Sequence, residues 1–89
     1  MAKVKKLTAT GDVENNVPIK IYEIITGGSS AGANVKVQDS TTELIRIFHA
    51  ANTSYQFKFY EKPIICKTEC TLTISGTMEA TIIYDEWAL

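Results

Sequence analysis

The feature that most constrains this chain is its density of side chains branched at Cβ. Eleven Ile, eleven Thr and five Val fill 27 of the 89 positions. Two heavy atoms on Cβ stiffen χ1, lower helix propensity and suit the pleated surface of a sheet. No apolar stripe of helical period and length competes with that preference. The apolar positions alternate instead. Ser54 to Glu61 sets Tyr55, Phe57 and Phe59 against Gln56, Lys58 and Tyr60, the pattern of a half-buried antiparallel strand with Tyr60 outward.

Other segments repeat the pattern with local variations. From Val17 to Thr26 the apolar phase changes after Ile21, as a β-bulge would produce. The run Gly27 to Gly32 reads as a flexible turn, with Val35 and Val37 on the return strand of a hairpin. From Glu43 to His49, Ile45 and Ile47 take one face and Leu44, Arg46 and Phe48 the other, so a neighbouring chain could supply a second cover. Pro63 cannot donate to a ladder and marks a strand start or edge before Ile64 and Ile65. Cys70, Leu72 and Ile74 alternate with threonines, then Ser75-Gly76-Thr77 turns the chain into Met78, Ala80, Ile82 and Tyr84, which reads as a second hairpin. With Lys3 to Thr10 as a further candidate, the total is about seven or eight short strands at spacings of roughly 8 to 12 residues. The fold class is all-β, a small antiparallel sandwich or barrel. Residues 1–89 form a single domain, with 1–12 as an N-terminal arm or edge strand and 85–89 as a C-terminal tail.

Size and charge exclude several functions. A 9.8 kDa chain holds one hydrophobic core and no separate catalytic domain. With 45% hydrophobic and 21% charged residues it is neither a disordered tail nor a bilayer-spanning protein. Nine basic against ten acidic residues give a net charge of −1, so there is no global positive field for nucleic-acid phosphates. Neither nucleic acid nor membrane is an expected partner. Charged Met1 to Lys6 is followed by no apolar run of signal-peptide length, which makes the cytoplasm the default compartment.

The residues with chemistry in them do not form a reacting set. Cys66 and Cys70 allow a disulfide across a short turn, but a reducing compartment favours free, buried thiols. Zinc needs four ligands, and His49 is the one histidine available to join two thiols. No cofactor or metal is expected. His49 shares strand parity with Ile45 and Ile47, which suits packing or hydrogen bonding better than general-base work. Asp85 and Glu86 point to opposite faces of any strand and read as a solvated strand end. Gly27 to Gly32 lacks the Lys-Ser/Thr ending and following helix of a phosphate loop. Asn52-Thr53-Ser54 matches a glycosylation sequon, with no secretory signal to use it. These features carry no enzyme assignment. Outward Tyr60, with Tyr22 and Trp87, offers aromatic faces on which a sugar ring could stack.

The two ends suggest contact with other chains. Lys3, Lys5 and Lys6 make a basic arm, and Trp87 and Leu89 place large apolar side chains after an acidic pair. Trp87 either folds back on its own sandwich or docks on a neighbouring subunit. Small domains bury a modest share of their surface, and oligomerisation adds core.

An ordered set of segments carries a resemblance. It comprises the Ile-rich first strand, Gly27-Gly28-Ser29-Ser30-Ala31, Val35-Lys36-Val37-Gln38-Asp39, Phe57-Lys58-Phe59 leading to Lys62-Pro63-Ile64, and Leu72-Thr73-Ile74-Ser75-Gly76-Thr77 leading to Thr81-Ile82-Ile83-Tyr84. From Val17 to Tyr84 this order resembles a group of small tailed-phage virion proteins; Cys66 and Cys70 depart from the group's pattern. The resemblance implies a jelly-roll-like β-sandwich and a non-enzymatic role as a head decoration or cement protein. It further implies a homo-oligomer, with a trimer favoured, the major capsid protein as partner, and a place in the virion after assembly in the host cytoplasm. Strand edges, the Lys3, Lys5 and Lys6 arm and the Trp87 to Leu89 tail would make the contacts. The alternative is a carbohydrate- or receptor-binding module of a tail fibre or baseplate, using Tyr60.

Overall fold

The computed structural model describes residues 2–86. Among them the chain forms nine strands and no helix: β1 Lys3–Leu7, β2 Gly11–Asp12, β3 Ile19–Gly27, β4 Asn34–Asp39, β5 Thr42–Phe48, β6 Tyr55–Lys58, β7 Ile64–Cys66, β8 Cys70–Ser75 and β9 Glu79–Glu86. Two antiparallel sheets pack face to face. The first runs β1-β9-β3-β6, with β7 also paired to β3; the second runs β2-β8-β4-β5. This is the expected small β-sandwich. The strand count exceeds the expected seven or eight because β2 is only two residues long and one edge is broken into β6 and β7.

The core is made by the inward residues of the two sheets. Ile19, Ile21, Ile24, Ala80 and Ile82 from the first sheet meet Val35, Val37 and Leu72 from the second, all fully buried. Each buried Ile, Leu or Val side chain contributes roughly 1.5–3 kcal/mol relative to exposure. Among the described residues no buried side-chain nitrogen or oxygen lacks a hydrogen-bond partner, so the interior carries little of the cost of unpaired polar groups.

Both hairpins expected from the sequence are corrected. The strand after the Gly-rich turn, β4, pairs with β5 and β8 rather than with β3, and β9 pairs with β1 and β3 rather than with β8. Both loops carry the chain from one sheet to the other. Alternation reports that one face of a strand is buried, and that holds equally for a hairpin and for a crossover between layers. The two crossover loops hold each other: Ser30 N–H donates to the Thr77 carbonyl at 2.8 Å, and Thr77 N–H donates to Ser30 Oγ at 3.1 Å. Hairpin pairing between consecutive strands is found at β4 and β5, across Ser40 and Thr41, with Ser40 in the left-handed region at φ 57°.

The ends also settle into sheet. Of the two readings of residues 1–12, the structure has the edge strand, β1 along β9, before β2 joins the other sheet. Asp85 and Glu86, read above as a solvated strand end and as the start of a C-terminal tail, are the strand end: they complete β9 opposite Lys20 and Ile19. Trp87 and Leu89 lie outside the described residues.

Candidate functional site

The phase change in β3 is a bulge, and it builds a polar and aromatic cluster on the outer face of its sheet. The β3–β9 register shifts between Ile21 and Glu23, placing Tyr22 and Glu23 together opposite Ile83. On its other side β3 pairs with β7 through Ile21 and with β6 from Glu23 onward. Between those two strands the chain leaves the ladder over residues 59–63, after Phe59 N–H donates to the Tyr22 carbonyl at 2.7 Å. Bulge and loop therefore coincide. The loop lays Tyr60 over Tyr22, ring centroids 5.6 Å apart and planes 6° from parallel.

Beneath this stack lies a carboxylate with both oxygens engaged. Tyr60 O–H donates to Glu23 Oε1 at 2.8 Å, and Gln56 Nε2 donates to Oε2. Glu23 is 5% exposed although it sits on the outer face of the sheet, because a single layer of side chains covers it. The Gln56 donor, then the Tyr60 hydroxyl, hold its carboxyl below the ordinary range; they outweigh burial, and the Lys58 charge adds to them. The same carboxylate raises the Tyr60 phenol, with burial acting in the same direction. Tyr22 O–H donates to Asp85 Oδ2 at 3.1 Å. A surface cavity of about 400 Å³, lined by Lys58, Phe59, Tyr60, Glu61 and Lys62, adjoins the stack. Tyr60 remains 54% exposed. The arrangement is a fixed aromatic surface whose charged group stays ionised, suited to stacking a flat apolar ligand face rather than to proton transfer.

The second candidate surface is the set of strand edges. On β1, Lys3 Nζ pairs with Glu86 at 3.2 Å and Glu14 at 3.4 Å, and Lys6 Nζ with Glu79 at 3.4 Å. Lys5 is exposed on the same strand, beside Val4. Two of the three lysines singled out as an arm are thus drawn onto β9 and its approaches. On β5 the two faces differ as the sequence suggested: Ile47 is buried, whereas Phe48 is 66% and Leu44 40% exposed. Arg46 lies on the exposed face, ion-paired to Glu43 at 2.9 Å, its guanidinium 5.9 Å from the Phe48 ring centroid.

His49 follows β5 and serves the interior. Its Nε2 lies 2.7 Å from Thr26 Oγ1 and its Nδ1 2.9 Å from Thr53 Oγ1. Tyr55, expected on the inward face of a half-buried strand, is 39% exposed at the edge, with its ring 4.5 Å from the imidazole. Both ring nitrogens are occupied by hydroxyls, the packing role read from strand parity. Cys66 and Cys70 are free and fully buried. Among the described residues no three His, Cys, Asp or Glu converge on a metal position.

Of the aromatic trio proposed from sequence, Tyr22 and Tyr60 come together and Trp87 lies outside the described residues. No sequence signal joins Glu23 to Gln56 and Tyr60, which are 33 and 37 residues away; the one local clue is a charged residue at a phase change. Neither a scan of protein-family models nor a search of curated proteins returns a match.

Proposed function

We propose that this chain is a non-enzymatic structural protein of a tailed-phage particle, a decoration or cement subunit that reinforces the head shell. The observation that carries the proposal is the β5 edge. Exposed sheet edges invite pairing, and soluble proteins blunt them with lysines, prolines or short strands. Here β1 carries three lysines, β2 has two residues, and the β6–β7 edge is broken by the loop containing Pro63. By contrast β5 is seven residues long, lacks Lys and Pro, pairs its two charged side chains, Glu43 and Arg46, with each other, and exposes Leu44 and Phe48. An edge left in that state suits association with another subunit. The partners are other copies of the chain, in a trimer, and the major capsid protein. Repetition over a symmetric shell makes modest individual contacts sufficient.

The solution mass, by light scattering coupled to size exclusion, tests the self-association. A particle of three 9.8 kDa chains is expected; a monomer at all concentrations and salts would remove the homo-oligomer from the proposal. A second reading, a carbohydrate-binding module of a tail fibre or baseplate, draws on one observation: Tyr60 is exposed, fixed by Glu23 and Tyr22, and set beside the cavity. Glycan-array binding abolished by Tyr60→Ala would favour that reading over the first.

A further inference from the structure

Cys66 closes β7 in one sheet and Cys70 opens β8 in the other. Register fixes the direction of each side chain. Cys66 lies opposite Ile19, which is fully buried between the layers, and Cys70 shares the inward face of β8 with fully buried Leu72. The two thiols enter the interlayer from opposite sheets, at the corner where the chain crosses. Both adjoin the same short piece of β4. Cys66 directs its S–H toward the Gln38 carbonyl at 3.9 Å, and Cys70 is paired with Asp39.

The three residues joining them are clamped. Asp39 accepts hydrogen bonds from Lys67 N–H and Thr68 N–H, each at 3.0 Å, and Ser40 N–H donates to the Glu69 carbonyl at 2.9 Å. Asn16 N–H donates to Glu69 Oε2 at 3.0 Å, and Val13 N–H to the Cys70 carbonyl at 2.9 Å. The two thiols thus share one buried corner, and the backbone between them is held in place.

We propose that Cys66 and Cys70 form a redox pair that closes a disulfide between the two sheets, with a small-molecule disulfide as oxidant. One protein thiolate attacks a sulfur of the oxidant and expels a small thiol, leaving a mixed disulfide. The other protein thiolate attacks the protein sulfur of that bond and expels the second small thiol. The oxidant's S–S bond is broken, the Cys66–Cys70 bond is formed, and the two protein protons end on the two small thiols. The reaction is slow at neutral pH, since both sulfurs are shielded and the neighbouring Cys66 thiol, with burial, raises the Cys70 pKa. It proceeds through opening of the corner and accelerates in alkali. The inference stands independently of the virion reading.

The test uses the folded wild-type chain, equilibrated with excess oxidised glutathione at about pH 8.5, near the ordinary thiol pKa, then acid-quenched and alkylated. Trypsin cleaves after Lys67, so a disulfide would leave the peptide ending at Lys67 joined to the one beginning at Thr68. The expected result is a chain lighter by two hydrogen atoms, monomeric on a non-reducing gel, with those peptides linked and the melting temperature raised by a few degrees. Two alkylated thiols at equilibrium, persistent glutathione adducts, or a cross-link between chains would each overturn the pairing.

Discussion

His49 Nε2 lies 2.7 Å from Thr26 Oγ1, and this contact ties the end of the second sheet's edge strand to a central strand of the first. Thr53 Oγ1, the partner of Nδ1, also lies 2.9 Å from the Ala50 carbonyl and 3.2 Å from Ser29 Oγ, so the imidazole joins Thr26 to the loop that follows β5. Thr26 is 2% and His49 4% exposed, so neither group has water to fall back on.

Replacing His49 with Ala is therefore expected to destabilise the fold by roughly 2–3 kcal/mol, from the orphaned Thr26 hydroxyl and the space left beneath Tyr55. Urea denaturation with unchanged m-value reads this directly. A loss under about 0.5 kcal/mol, the range of ordinary surface changes, would mean that the contact is not holding the sheets.

The crossover loops give a paired comparison. Gly76 has φ +79°, and a Cβ there would meet Ala33 Cα and Ser30 Oγ at 3.1 Å; Gly32 has φ +74° and nothing within 4 Å. Both positions suffer the left-handed backbone strain of a non-glycine residue, about 1–2 kcal/mol. Only Gly76→Ala also pushes the two loops apart. Thermal melting is expected to rank Gly76→Ala well below Gly32→Ala; equal melting temperatures would contradict the close approach of the loops.

Much of this sandwich was legible from sequence, and the failures share one cause. The β3 bulge showed as a phase change after Ile21, and the division of β5 into an Ile45/Ile47 face and a Leu44/Phe48 face showed as alternation, because both are written in the period of a single strand; that the second face is exposed did not. Strand pairing is not. Val35 and Val37 alternate in the same way whether β4 returns beside β3 or crosses to the opposite sheet. The Glu23 cluster and the Thr26–His49 contact likewise depend on which strands become neighbours. Tyr60 could be recognised as outward, whereas the carboxylate that fixes it could not.

Asp39 makes stability depend on acid. Burial pushes its carboxyl up, but the backbone donors of Thr68, Lys67 and Glu69, with the Lys67 charge, bring it below the ordinary value. A carboxyl depressed in the folded state stabilises above its unfolded pKa of about 4 and loses that contribution as pH falls through the folded value. Glu23 is depressed as well and acts with the same sign. Asp39→Asn should cost roughly 1 kcal/mol at pH 7 and flatten the decline below about pH 4. Urea midpoints for both proteins across that range measure it; parallel curves would show that Asp39 does not contribute to the acid response.

Phe48 separates folding from association. At 66% exposure, Phe48→Asp should change unfolding free energy by no more than about 0.5 kcal/mol. On the exposed face of the β5 edge, the same change should shift the proposed oligomer to monomer in light scattering. A variant that keeps the wild-type oligomeric mass would place the subunit contact elsewhere.

The proposed attachment to a capsid is tested most directly by co-sedimentation of the purified wild-type chain with DNA-free shells assembled from a tailed-phage major capsid protein, the partner the proposal names. The chain is expected to pellet with the shells, to saturate at a fixed ratio to capsid subunits, and to raise the temperature at which the shells come apart. A chain that stays in the supernatant at every concentration, with shell melting unchanged, would contradict the structural role.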